Sequence, residues 1–166
     1  MFDSSIVPLS HSLKALAAIL TKAEAYCEAR KIDPNALLTA RLYPDMLPLN
    51  RQVHIATDQA KGCGARLAGI AVPSYPDEEK TFAELQARIT KTLDFIGGLK
   101  REQFADAATR TVTIKIGGKD TELKGAAYLS SAVLPNFYFH LTTAYNILRH
   151  NGLEIGKGDF LGRNLS

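Results

Sequence analysis

Four stretches of the chain repeat apolar residues at intervals of three and four, and this spacing limits the fold more than any other feature. An α-helix turns once per 3.6 residues, so such residues line one face and must be buried together. The first stretch runs from about Leu9 to Arg30 through Leu9, Leu13, Leu16, Ala17, Leu20 and Ala23. The second begins near Asp45 or Leu47, passes through Leu49, Val53, Ala56, Ala60, Cys63 and Leu67, and stops at Gly69. The third follows Thr81-Phe-Ala-Glu84, a capping-box pattern in which each end satisfies a free backbone donor of the other, and runs through Leu85, Ile89, Leu93 and Ile96 to Gly97-Gly98. The fourth starts around Gly125 and closes at Asn151-Gly152, where glycine suits a left-handed position. Pro135 inside it predicts a kink or a short break.

Shorter elements fit between these helices. Asp33-Pro34 supplies an N-cap and a first-turn proline for a short helix through Leu37, Leu38 and Leu42, ended by Tyr43-Pro44. The prolines of "VPSYPDEEK" mark a loop. "TVTIKIGGKDTELKG" alternates Val112, Ile114 and Ile116 with Thr113 and Lys115, then turns at Gly117-Gly118, the pattern of a β-hairpin that must lean on the helices. The tail "LEIGKGDFLGRNLS" reads as loop. The expected fold is therefore all-α, an up-and-down four-helix bundle with a short extra helix and a small β-hairpin before the last helix, formed as one domain over residues 1–166.

Composition narrows the function classes. The 166 residues carry a formal charge of only +3 with no block of like charge, so nucleic acid is not an expected partner. No apolar run approaches the ~20 residues that span a membrane. The start "MFDSSIVPLSHSLK" lacks the basic and apolar regions of a signal peptide. Two cysteines, Cys27 and Cys63, form no CxxC pair and read as reduced thiols, so a cytoplasmic location is expected.

Candidate chemistry gathers on the second and fourth long helices. Of the four histidines, His150 lies in a last helical turn and His11 near a first, both surface positions. His54 lies in "LNRQVHIATDQAKG", one turn before Asp58, whose carboxylate is placed to fix an imidazole tautomer. His140 and Asn136 share one helix face at a spacing of four, beside Phe137, Tyr138 and Phe139. If these helices face one another, His54, Asn136 and His140 converge, a donor set suited to a borderline divalent ion such as Zn, Ni or Fe. The same residues could instead be buried polar groups with satisfied hydrogen bonds. Tyr138 is a candidate ligand contact. Cys63, between Gly62 and Gly64, reads as a place of close helix contact, not as a nucleophile. "IGKGDFLG" lacks the spacing of a phosphate loop.

The stretches "YPDMLPLNRQVHIATDQAKGCGARLAG", "PNFYFHLTTAYNILRHNG" and "IGKGDFLG" resemble a bacterial family of unknown function grouped with the DinB-like (YfiT-like) four-helix bundles. The resemblance spans nearly the whole chain. It implies a bundle, often a homodimer, with a site of three metal-binding histidines, one from the second helix and two spaced four apart on the fourth. Members include thiol transferases, thiol-dependent isomerases and uncharacterised hydrolases. By position, His54 matches the second-helix ligand and His140 the last one, while Asn136 stands where the other histidine belongs. Two functions are thus expected: a metal-dependent enzyme acting on a small molecule through a degenerate His54/Asn136/His140 site, or a metal-free small-molecule-binding or stress-related homodimer. A third reading is a structural homodimer with no pocket, with the hairpin around Gly117-Gly118 or an apolar helix face as its interface.

Overall fold

A computed structural model describes residues 1–163 and 165, and places seven α-helices and one hairpin among them. The helices are α1 (Phe2–Arg30), α2 (Pro34–Leu38), α3 (Leu49–Ala68), α4 (Phe82–Gly97), α5 (Gly125–Ala127), α6 (Leu134–His150) and α7 (Lys157–Phe160). A short 3-10 turn covers Arg101–Phe104, strands β1 (Thr111–Ile116) and β2 (Lys119–Lys124) form the hairpin, and a π-helical stretch covers Tyr128–Val133. No helix is long and apolar enough to cross a membrane.

The predicted stripes meet in one core. Leu9, Leu13, Leu16, Leu20 and Ala23 of α1 are buried against Leu49, Val53, Ala56, Ala60, Cys63 and Leu67 of α3 and Leu85, Ile89 and Ile96 of α4. α3 packs chiefly on α6 and α4, and α1 on α4 and α3. Gly64 makes the close approach of α3 possible, because a Cβ there would stand 2.8 Å from Leu99 Cδ1 and 3.2 Å from Ile96 Cγ2.

Local signals set most boundaries. Asp33 accepts from Asn35 N–H at 2.9 Å and caps α2. Thr81 and Glu84 close both bonds of their capping box. Gly69 ends α3 in the left-handed region at φ 72°. Gly117 and Gly118, at φ 57° and 80°, make the two-residue turn that pairs Ile116 with Lys119.

Three boundaries differ from expectation, and the break expected at Pro135 takes a definite form. α1 begins at Phe2, not Leu9, and runs through Pro8. Contacts distant in sequence hold those first turns: the Phe2 ring meets Phe104 edge-on at 5.2 Å, and Asp3 pairs with Arg101 at 2.6 Å. α2 stops at Leu38, which leaves Leu42 exposed, because Thr39 and Ala40 close the helix with their own backbone bonds. The break near Pro135 is the π-helical stretch before it; proline has no N–H for the carbonyl four residues earlier, so the preceding turn widens. The tail contains the short α7, whose Phe160 packs on Tyr145 at 5.6 Å and whose Asp159 pairs with Lys22. Asn164 and Ser166, expected in that loop, lie outside the described residues.

Candidate functional site

His54 is buried on the side of α3 that faces α4 and the loop before it. Arginine only donates, so Arg51 Nη1, 3.3 Å from His54 Nδ1, makes Nδ1 an acceptor and leaves the ring proton on Nε2. Nε2 lies 3.0 Å from Glu79 Oε2, but the carboxylate stands off the line of the N–H, so no directed hydrogen bond forms. Burial pushes the His54 pKa down; Arg88 and Arg51 add to this, against the pull of Glu79 and Asp77.

Glu79 belongs to a buried ion cluster around Arg88. The Arg88 guanidinium reaches Glu79 Oε1 at 3.0 Å, Asp58 Oδ1 at 2.9 Å and Asp77 Oδ1 at 3.0 Å. It also donates to Thr57 Oγ1 at 2.7 Å and to the Pro76 carbonyl at 2.9 Å. Asp58 was expected to orient His54 from one turn on; instead it takes Lys61 at 2.8 Å and Arg88. The cluster ties the 71–80 loop onto α3 and α4.

His140 is turned to the other side of α3. Its Nδ1 is 2.7 Å from Gln52 Oε1. Gln52 sends its amide Nε2 to the Leu47 carbonyl at 2.8 Å, so its oxygen faces His140 and accepts the Nδ1 proton. The His140 Nε2 is then the lone-pair nitrogen. Burial lowers the His140 pKa and keeps the ring neutral. Residues two apart on a helix point about 200° apart, so Gln52 and His54 face opposite sides of α3. The two histidines do not meet.

Asn136, one turn before His140, is exposed on a cleft of about 660 Å³ between the hairpin, α3 and the start of α6. Gln59 and Arg66 come from α3, Ile114 to Gly117 from the hairpin, and Tyr128, Ser131 and Ala132 from the π-helical stretch. Tyr138 lies apart from this cleft, on a shallow groove with Phe139, Leu42 and Met46.

The donors therefore do not fit a three-ligand divalent site. His140 with Gln52 and Asn136 offers one imidazole and two weakly binding amides, while His54 belongs to the ion cluster. Among the described residues no group of three His, Cys, Asp or Glu side chains is placed to hold a metal ion. Cys63 is fully buried and burial raises its pKa to about 12, so it is no nucleophile at neutral pH. His11 donates Nε2–H to the Leu161 carbonyl at 2.9 Å, and His150 is exposed.

Sequence reasoning missed Gln52, Arg66, Glu79 and Arg88. Gln52 left a signal, since it stands three residues after Leu49 and four before Ala56, on the apolar stripe of α3. Arg88 left a similar one, between Leu85 and Ile89.

A mostly helical fold with a small hairpin agrees with the comparisons to known proteins. The family described as "Domain of unknown function (DUF1993)" matches residues 1–161. A solved structure of a DinB family member protein from Shewanella denitrificans is 45% identical, covers 97% of this chain and 91% of its own, and superposes with a TM-score of 0.88. The chain belongs to the DUF1993 family, within the DinB-like superfamily. No curated protein matches it.

Proposed function

We propose that the protein is a metal-independent small-molecule-binding bundle whose ligand occupies the cleft beneath the hairpin, with Asn136 among the groups that hold it. The observation behind this reading is the cleft itself. Its volume of about 660 Å³ falls among ligand pockets, which span about 300–1,000 Å³. It joins an apolar strip, Ile114 and Ile116, to a few polar groups from three elements, the usual make-up of such sites. The π-helical stretch supports the reading too, since it turns Tyr128, Ser131 and Ala132 toward one space and such stretches recur at functional sites. The four long helices are read as an up-and-down four-helix bundle, supported by the packing of α1, α3, α4 and α6 around shared core residues.

The test is a thermal-shift screen of metabolite-sized compounds against the whole protein, run with and without EDTA. Hits should raise Tm equally in both conditions. An Ala132→Trp variant, which fills the cleft, should lose them. Hits that vanish with EDTA, or that survive in Ala132→Trp, would overturn the proposal.

A further inference from the structure

We infer that the cleft selects a molecule with an anionic head, carboxylate or phosphate, and an apolar tail, and that Arg66 binds the head. This rests on the binding function proposed above and names the class of its ligand.

Charge gives the first argument. The cleft wall includes Arg66 and Lys115 and no acidic residue. Arg51, Arg88 and Arg101 each pair with at least one carboxylate, whereas Arg66 has no carboxylate partner among the described residues. Its hydrogen bond runs from Nη1 to Tyr128 Oη at 3.2 Å, and its guanidinium lies 6.0 Å from that ring's centre. A guanidinium has five N–H donors, so most of this half-buried fork is unused. Paired N–H groups in one plane match the geometry of carboxylate and phosphate oxygens.

The fork is also held in place. Arg66 folds back along α3 over Gly62, where any Cβ would collide with Nη1. The Tyr128 ring supports it from α6's side. Tyr128 Oη accepts the Arg66 proton, and its own O–H finds no acceptor among the described residues. Burial raises the Tyr128 pKa, so this hydroxyl keeps its proton and is a second donor beside Arg66. Asn136, Gln59 and Ser131 add neutral polar groups along the wall.

The apolar end follows from strand geometry. Side chains alternate along β1, so Val112, Ile114 and Ile116 share one face. Val112 is buried, which sets that face toward the helices. Ile116 stays 51% exposed at the cleft mouth, an apolar residue beside a polar turn. By the same alternation Lys115 falls on the opposite face of β1 from Ile114 and Ile116, which leaves Arg66 as the positive charge on the α3 wall.

Titration calorimetry on the whole protein with hexanoate, hexyl phosphate and hexanol tests the inference. One or both anions should bind at least about tenfold more tightly than hexanol, the scale of a charge-assisted hydrogen-bond pair. Which anion binds better distinguishes a carboxylate ligand from a phosphate one. Arg66→Met should cost about tenfold or more, and Arg66→Lys, which keeps the charge but not the fork, should fall between. Tyr128→Phe, nearly isosteric and so safe for folding, should weaken both anions but not hexanol. Lys14→Gln, which removes one exposed charge on α1, should change nothing. Equal binding of hexanol and the anions, or unchanged anion binding in Arg66→Met and Tyr128→Phe, would overturn the inference. Hexanol binding that Ala132→Trp abolishes, without anion preference, would leave the binding cleft standing and remove only the anionic head. Absence of binding by all three probes would remove the inference, and the screen described above would then decide the cleft separately.

Discussion

The imidazole of His140 donates Nδ1–H to Gln52 Oε1 at 2.7 Å and so joins the last long helix to the first turn of α3 inside the core. Both groups are buried, and Gln52 also ties Leu47 to the start of α3. Removing the amide strands a buried donor. Gln52→Ala should therefore destabilise the protein by about 1–3 kcal/mol, read from the midpoint of urea unfolding at unchanged slope.

Both buried histidines make stability depend on pH. His54 and His140 have folded-state pKa values below the ordinary 6.5, chiefly from burial. The unfolded chain thus binds protons that the folded chain refuses. Stability from these two residues is fully present above pH 6.5 and declines as pH falls from there toward their lowered folded values. Thermal melts between pH 7.5 and 5.5 should show Tm falling with acidity. His54→Gln and His140→Gln should each flatten that slope, and a slope unchanged in both variants would contradict the assignment.

Arg88 holds three carboxylates from within the protein. Arg88→Met keeps the bulk of the side chain but removes the cation shared by Asp58, Asp77 and Glu79, leaving Asp58 to Lys61 and Asp77 to Arg51. Breaking a fully buried ion pair from one side costs about 3–5 kcal/mol, and the partial exposure of these carboxylates and their remaining partners reduce this to about 1–3 kcal/mol. The variant should show a loss of that order in chemical unfolding, and limited proteolysis should cut first within the freed 71–80 loop.

The separation of His54 from His140 predicts different responses of the two to added zinc. Zinc titration against a chromogenic chelator should give the same weak affinity for the wild type and His54→Ala, since His54 faces the ion cluster. His140→Ala should abolish whatever zinc affinity remains. A sharp loss in His54→Ala would show that the two rings share an ion after all.

How much of this was readable beforehand varies with the distance over which each feature is determined. The stripes of α1, α3 and α4, the Thr81–Glu84 box and the Gly117-Gly118 turn depend on residues within a few positions, and each stands as expected. The start of α1 does not, because Phe104 and Arg101 hold it from about a hundred residues away. The candidate site was legible in residue type but not in arrangement. His140 is buried and its partner is Gln52, while His54, two residues on from Gln52, points to the opposite side of the same helix.

The sequence by itself determined the long helices, the hairpin and their family, since periodicity and capping act through local backbone geometry. Only the tertiary structure decided which polar groups meet. That outcome depends on the rotation of α3 between α4 and α6 and on where the 71–80 loop and the hairpin come to rest. These are settled by packing of the whole core, which gives His54 to Arg88 and Glu79, His140 to Gln52, and Asn136 to the cleft beside Arg66.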